Sequence, residues 1–277
     1  MRVWNWRIRE RAYKFERPLV VGILNLTPDS FYASSRTKDA SSALLRAEKI
    51  VSDGADMLDL GAESTRPGSA LVDEAEEGRR LFPALEAIRK AFPDILLSID
   101  TRRAAVARKA LELGADVIND VSSLSDPDMA STAAEFGAGF ILTHSPKELA
   151  NGNNADITCR EVEEFLKAKT AELVASGLPM DCVVWDPGLG FGKTVGSNWR
   201  LVEELNKLGA PGGRVMCGAS RKRFTRPDPE KPESETNSGL PGTIRANALA
   251  LKNGAFLLRV HDALEAKALI EEEKHAS

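Results

Sequence analysis

Polar residues able to recognise a ligand or do chemistry stand directly after short apolar runs along this chain. They are Asn25; Glu63, Thr65 and Arg66; Asp100; Asn119; His144; Asp186; Ser220, Arg221 and Lys222; and Arg259 with His261. Their chemistry divides in two. Asp100, Asn119, Asp186 and Lys222 offer acceptors and donors for a flat heterocycle with adjacent N–H groups and a carbonyl, since one carboxylate can take a ring N–H and an exocyclic amine together. Asn25, Arg66, Arg259 and His261 suit an anion. Guanidinium groups fork onto phosphate oxygens, and an Asn carbonyl oxygen is an acceptable ligand for Mg²⁺. A ring on one side and a diphosphate on the other is the layout of a transferase or hydrolase.

Asp, Asn and Ser are also common turn and helix N-cap residues. Arg259, His261 and Lys222 are poor turn formers, so these three favour the functional reading. A lone His at a strand end, as at His144, is often a satisfied structural group, and His275 near the C-terminus fits no pattern. The stretch DPGLGFGK (186–193) is neither GxGxxG nor GxxxxGK[ST], which removes a mononucleotide loop. It reads as a tight loop needing positive φ at its glycines, or as close backbone approach to a ligand with Phe191 as an apolar wall.

The elements that must position these residues show in the hydropathy pattern. The runs PLVVGILN, DMLDLG, ILLSID, DVIND, GFILTH, CVVWD, RVMCG and AFLLRVH are strand-length, rich in Val, Ile and Leu, and mostly apolar at consecutive positions. Strands buried on both faces of a parallel sheet read this way. Helical spacing fills the gaps, with Gly54, Gly114, Gly137, Gly177 and Gly254 at helix ends and Pro83 predicting a kink or a late start. Strand–helix units in this number predict an α/β fold, a (β/α)8 TIM barrel, rather than a doubly wound sheet. The alternation of Val3, Trp4, Trp6 and Ile8 predicts a short N-terminal β-hairpin plugging the barrel's N-terminal end, and the Pro-, Glu- and Ser-rich segment 226–242 predicts a loop.

Composition sets outer bounds. The chain has 277 residues, 43% hydrophobic and 28% charged, and a net charge of −4. That balance argues against a nucleic-acid or membrane-surface binder. Three scattered cysteines without a CxxC pair argue against a disulfide framework and a zinc site. With no signal-peptide run and no long apolar stretch, a cytoplasmic location is expected. The expected organisation is a single domain over 1–277.

At these positions the sequence closely resembles the dihydropteroate synthase family. The matches are GILNLTPDSF (22–31), DLGAESTRPGS (59–69), SIDT (98–101), VINDVSS (117–123), DPGLGFGK (186–193), GASRK (218–222) and RVHD (259–262), in the family's order. The resemblance implies a pterin-binding TIM barrel. It would condense a dihydropterin methyl diphosphate with p-aminobenzoate in folate biosynthesis, a transferase reaction in a family targeted by sulfonamides. It implies that Asn25 binds Mg²⁺, and that Asp100, Asn119, Asp186 and Lys222 hold the pterin. Thr65, Arg66, Arg259 and His261 with Asn25 would meet the diphosphate, and Thr65, Pro67, Phe191 and Ser220 would form the p-aminobenzoate pocket. Catalysis would fall to Asn25, Arg66, Lys222, Arg259 and His261. A homodimer is expected from the family alone.

Two stretches depart from the family's pattern. FYASSRTKD (31–39) replaces a glycine-rich segment and adds Arg36 and Lys38, which would help grip the diphosphate. In 143–154, Thr143 stands where the family often has a Met packed on the pterin. Competing readings are a corrinoid-type pterin methyltransferase barrel, a non-catalytic pterin-binding relative, and an unrelated phosphate-binding barrel. The first has no use for a diphosphate site, and the second would be expected to lose it.

Overall fold

The computed structural model describes residues 2–26, 36–63, 72–146, 149, 154–229 and 239–276, apart from the side chains of 36–39 and 275–276. In chain order the elements are β1 (Trp4–Ile8), β2 (Arg11–Phe15), β3 (Leu19–Asn25), α1 (Arg36–Ser52), β4 (Met57–Gly61), α2 (Glu74–Ala91), β5 (Leu96–Asp100), α3 (Ala104–Glu112), β6 (Val117–Asp120), α4 (Met129–Phe136), β7 (Gly139–Thr143), α5 (Cys159–Ala175), β8 (Val183–Asp186), α6 (Val195–Glu203), β9 (Met216–Cys217), α7 (Leu240–Lys252), β10 (Leu257–Val260) and α8 (Ala263–Ala276). Strands β3 to β10 make one 8-stranded sheet in the order β8-β7-β6-β5-β4-β3-β10-β9. Its seam is spanned where Trp185 N–H donates to Arg214 O at 3.0 Å and Trp185 bridges Val215 in parallel. This is the expected TIM barrel.

Strand alternation sorts the side chains. Val20, Leu58, Leu97, Ile118, Phe140 and Leu142 face outward into the core shared with the helices. Val21, Met57, Leu96, Val117, Ile141 and Val184 face inward at the barrel's N-terminal end. One step further along the same inward faces stand Ile23, Asp59, Ser98, Asn119, Thr143 and Asp186. The interior therefore changes from apolar to polar along its axis, and the polar end is the C-terminal mouth.

The hairpin closes the other end. Strands β1 and β2 pair antiparallel, and Trp4, Trp6 and Ile8 join the inward apolar cluster. Trp6 Nε1 donates to Cys182 O at 2.8 Å, and Trp4 stacks on Phe256 with ring centroids 5.5 Å apart. Buried Arg214 fixes the hairpin to the seam by donating to Val183 O at 2.9 Å, Asn5 O at 2.7 Å and Met180 O at 2.9 Å.

Gly137 closes α4 in the left-handed region at φ 57, and the other helix-end glycines also take positive φ. Three sequence expectations need correction. Helix α2 starts at Glu74, capped by the Asp73 side chain, so Pro83 lies inside it and marks no late start. Arg36 and Lys38 belong to α1 rather than to a loop. Leu240, Pro241 and Gly242 belong to α7, because the fixed φ of Pro suits a first helical turn. A Cβ on Gly242 would lie 1.7 Å from Thr225 O, so glycine is required there. Among the described residues no helix is long and apolar enough to cross a membrane.

Candidate active site

The register places the predicted residues around the mouth. Asn25 pairs with Gly61, Gly61 with Asp100, and Asp100 with Asn119, so four neighbouring strands meet in one row. Thr143 pairs with Asp186 on the next two strands. Arg259, in register with Val21, starts lower and reaches upward. Its Nε donates to Asp59 Oδ2 at 2.6 Å and its Nη2 to Asp100 Oδ2 at 2.7 Å. Arg259 thus joins the residues expected to hold a ring to those expected to hold an anion.

Asp59 went unrecognised in the sequence because it lies inside a strand, not at its end. It is fully buried and accepts from Ser98 Oγ at 2.6 Å, Asn119 Nδ2 at 3.0 Å and Arg259 Nε. A carboxylate at an inward position between Leu58 and Leu60 was the sequence feature that could have found it. By engaging Nδ2 it fixes the Asn119 amide, whose Oδ1 is buried without a hydrogen-bond partner among the described residues.

Burial pushes the Asp100 carboxyl up to about 7. Arg259 opposes the rise, while Asp59, Glu77 and Asp120 add to it. Burial likewise pulls the Lys222 ammonium down to about 8, against the attraction of Asp186. Lys222 Nζ donates to Leu189 O and lies 4.8 Å from the Phe191 ring centroid. Asp186 Oδ1 accepts from Gly188 N at 2.8 Å, which orients the carboxylate at the start of the glycine loop.

That loop depends on its glycines. Gly188 has φ 66, and a Cβ there would lie 2.0 Å from His144 O. Lys193, unassigned from sequence, holds the loop from beneath: its buried Nζ donates to Gly188 O at 2.7 Å, His144 O at 3.2 Å and Phe191 O at 3.3 Å. Burial lowers its pKa to about 7. Asn198 at the start of α6 accepts from Gly190 N at 2.6 Å and completes the support.

Ser220 and His261 form a closed pair. His261 N donates to Ser220 Oγ at 3.1 Å, and Oγ lies 3.0 Å from His261 Nδ1. With the hydroxyl donating to Nδ1, the pair fixes the orientation of the ring. Two strand-end candidates serve the scaffold instead. Glu63 binds Arg102 at 2.8 Å, Arg103 at 2.9 Å and Val72 N at 3.3 Å. His144 is buried edge-on to Phe165 at 4.8 Å, and burial lowers its pKa to about 3. Arg221 pairs with Asp262. Thr65, Arg66 and Pro67 lie outside the described residues.

Residues 21–261 match the family described as pterin binding enzyme. The chain belongs to this family, on its dihydropteroate synthase branch. It is 35% identical over 248 residues to the dihydropteroate synthase of Haemophilus influenzae, covering 88% of this chain and 89% of that protein. It is 39% identical over 253 residues to a probable bifunctional folylpolyglutamate synthase/dihydropteroate synthase of Halobacterium salinarum, covering 90% of this chain and 30% of that longer protein. The solved dihydropteroate synthase from Coxiella burnetii, in complex with pteroic acid, superposes with a TM-score of 0.86 at 34% identity, over 99% of this chain and 98% of that one. The pterin-binding family thus accounts for the barrel and for the motifs around its mouth.

Proposed function

We propose that the chain is a transferase of folate biosynthesis that joins (7,8-dihydropterin-6-yl)methyl diphosphate to p-aminobenzoate, giving 7,8-dihydropteroate and diphosphate, with 1–277 acting as one domain. The carrying observation is the inward polar row at the mouth of an otherwise apolar barrel, where acceptors for a ring's N–H groups adjoin Arg259 and His261. In the reaction the C–O bond to the diphosphate breaks with its electron pair leaving on oxygen. The aniline nitrogen supplies the pair for the new C–N bond and loses a proton to solvent.

The chain's own groups serve three needs of this step. Asp100, Asn119, Asp186 and Lys222 hold the dihydropterin ring, whose delocalisation spreads the positive charge that grows at the methylene as the leaving group departs. Arg259 and His261, with Arg66, meet the negative charge that grows on the diphosphate. Phe191 and Ser220, with Thr65 and Pro67, line the approach of the aniline. No covalent bond to the protein is needed.

A magnesium ion fits the residues present. The Asn25 side-chain amide makes no hydrogen bond to a described residue, so its oxygen is available. Among the described residues no cluster of His, Cys, Asp and Glu forms a closed metal cage. Mg²⁺ commonly takes few protein oxygens and fills its shell with phosphate oxygens and water. Bound by Asn25 and the diphosphate, it would supply charge neutralisation to the leaving group. A homodimer through the outer helices is part of the same proposal, and sedimentation at twice 30.0 kDa would bear it out.

The test is diphosphate release from the dihydropterin diphosphate with Mg²⁺ and p-aminobenzoate. Release that is abolished by a chelator and restored by magnesium supports the reading. Absence of release with all components present overturns it.

A further inference from the structure

The mouth of the barrel contains a hydrogen-bonding group that the site described above does not use. Thr143 ends β7, between β6 with Asn119 and β8 with Asp186. It faces inward, two residues beyond Ile141, and is fully buried. Its Oγ1 has no hydrogen-bond partner among the described residues, and neither has Asn119 Oδ1 on the neighbouring strand, whose residue pairs with Ile141. The backbone there is held firmly. Ser123 Oγ donates to Thr143 O at 2.7 Å and accepts from Ser145 N at 3.0 Å. A buried hydroxyl without a partner destabilises a fold, and one is retained where a ligand completes it.

We infer that Thr143 is a specificity-determining residue for the ring substrate, its hydroxyl hydrogen-bonding the amine-bearing edge of the pterin between Asp186 and Asn119. This rests on the proposed function. A 2-amino-4-oxo pyrimidine ring presents two different flanks around its amine. On one side the ring N–H and one amine hydrogen suit a carboxylate, which Asp186 supplies through the oxygen not engaged by Gly188. On the other side stand the second amine hydrogen and an unprotonated ring nitrogen. That flank needs an acceptor and a donor together, and a hydroxyl is both.

The test compares wild type with Thr143→Val, which removes the hydroxyl and keeps the shape, and with Thr143→Ser, which keeps the hydroxyl. Titration calorimetry is run with 6-hydroxymethylpterin and with an analogue carrying a methyl group in place of the 2-amine. For the pterin, Thr143→Val is expected to weaken binding about tenfold, and Thr143→Ser to stay within about threefold. For the methyl analogue, wild type and Thr143→Val are expected to bind alike. The Tm of Thr143→Val should equal or exceed that of wild type, which sets aside a structural cause. Equal pterin affinity in wild type and Thr143→Val overturns the inference and leaves the proposed function standing. A wild-type chain that binds no pterin overturns both.

Discussion

Arg259 and Asp59 form an ion pair inside the barrel, Nε to Oδ2 at 2.6 Å, with the carboxylate fully buried. The pair holds the guanidinium below the mouth, where its Nη2 also meets Asp100. In the proposed reading, a ring N–H donating to Asp100 would meet a carboxylate already partly engaged by Arg259. In that reading Arg259 links the ring-binding residues to the diphosphate-binding ones rather than belonging to one set. Asp59→Asn keeps the shape and removes the charge that positions Arg259. It should lower kcat/KM for the dihydropterin diphosphate by about 10- to 100-fold, the value of one charge-assisted hydrogen bond. Steady-state kinetics with p-aminobenzoate saturating would show it, and an unchanged value would mean that Asp59 does not position Arg259.

The pH profile follows from Asp100 and Lys222. In the proposed reading Asp100 accepts ring N–H groups as a carboxylate, and it loses its proton only at about 7. Lys222 gives up its donating charge at about 8. The kcat/KM for the pterin substrate should rise toward pH 7 and fall above pH 8. Stability follows the opposite sense for Asp100. The folded chain keeps that proton up to about 7, whereas the unfolded carboxyl loses it near 3.8. The folded state binds more protons between these values, so this group's contribution to stability falls as pH rises through the window. A flat kinetic profile between pH 6 and 9 (about one unit either side of both values) would contradict the assignment.

Lys193 ties the glycine loop to the end of β7. Its folded pKa of about 7 lies below the ordinary 10.5, so between these values the unfolded chain binds the extra proton and stability rises with pH. Lys193→Met should remove this dependence. The difference in unfolding free energy between wild type and variant should grow by up to about 1.4 kcal/mol per pH unit above pH 7. Urea titrations at several pH values would measure it, and parallel stability curves would contradict it.

The barrel, its order of strands and the plugging hairpin were legible in the sequence because hydropathy reports burial directly. Most of the mouth was legible for a related reason: polar residues such as Asp100, Asn119 and Asp186 interrupt apolar runs at their ends. Asp59 and Lys193 were not, since both are buried supports whose partners come from distant strands and loops. Asp59 meets Arg259 because β4 and β10 flank β3 in the sheet, a pairing between strands about 200 residues apart in sequence. His144 and Glu63 show the converse. Each stands at a strand end, yet one packs edge-on against Phe165 and the other binds Arg102 and Arg103. Residue type and position in a strand say which side chains are polar and where, but not which way they turn.

The hairpin's contribution to the fold can be measured separately from the chemistry. Trp6 is fully buried, donates to Cys182 O and meets Phe256 edge-on at 5.7 Å. Trp6→Ala should destabilise the chain by about 3–5 kcal/mol in equilibrium denaturation. Activity per folded molecule should stay near wild type, because the plug lies at the end opposite the mouth. A stability change under about 1 kcal/mol would show that the hairpin does not close the core.

In the proposed reaction this barrel makes a C–N bond between a pterin methylene and an aniline. Incorporation of isotopically labelled p-aminobenzoate into a product, followed by chromatography and mass spectrometry, tests it most directly. With dihydropterin diphosphate and Mg²⁺ present, labelled dihydropteroate should form in an amount equal to the diphosphate released. Diphosphate released without labelled product, or neither formed, would contradict it.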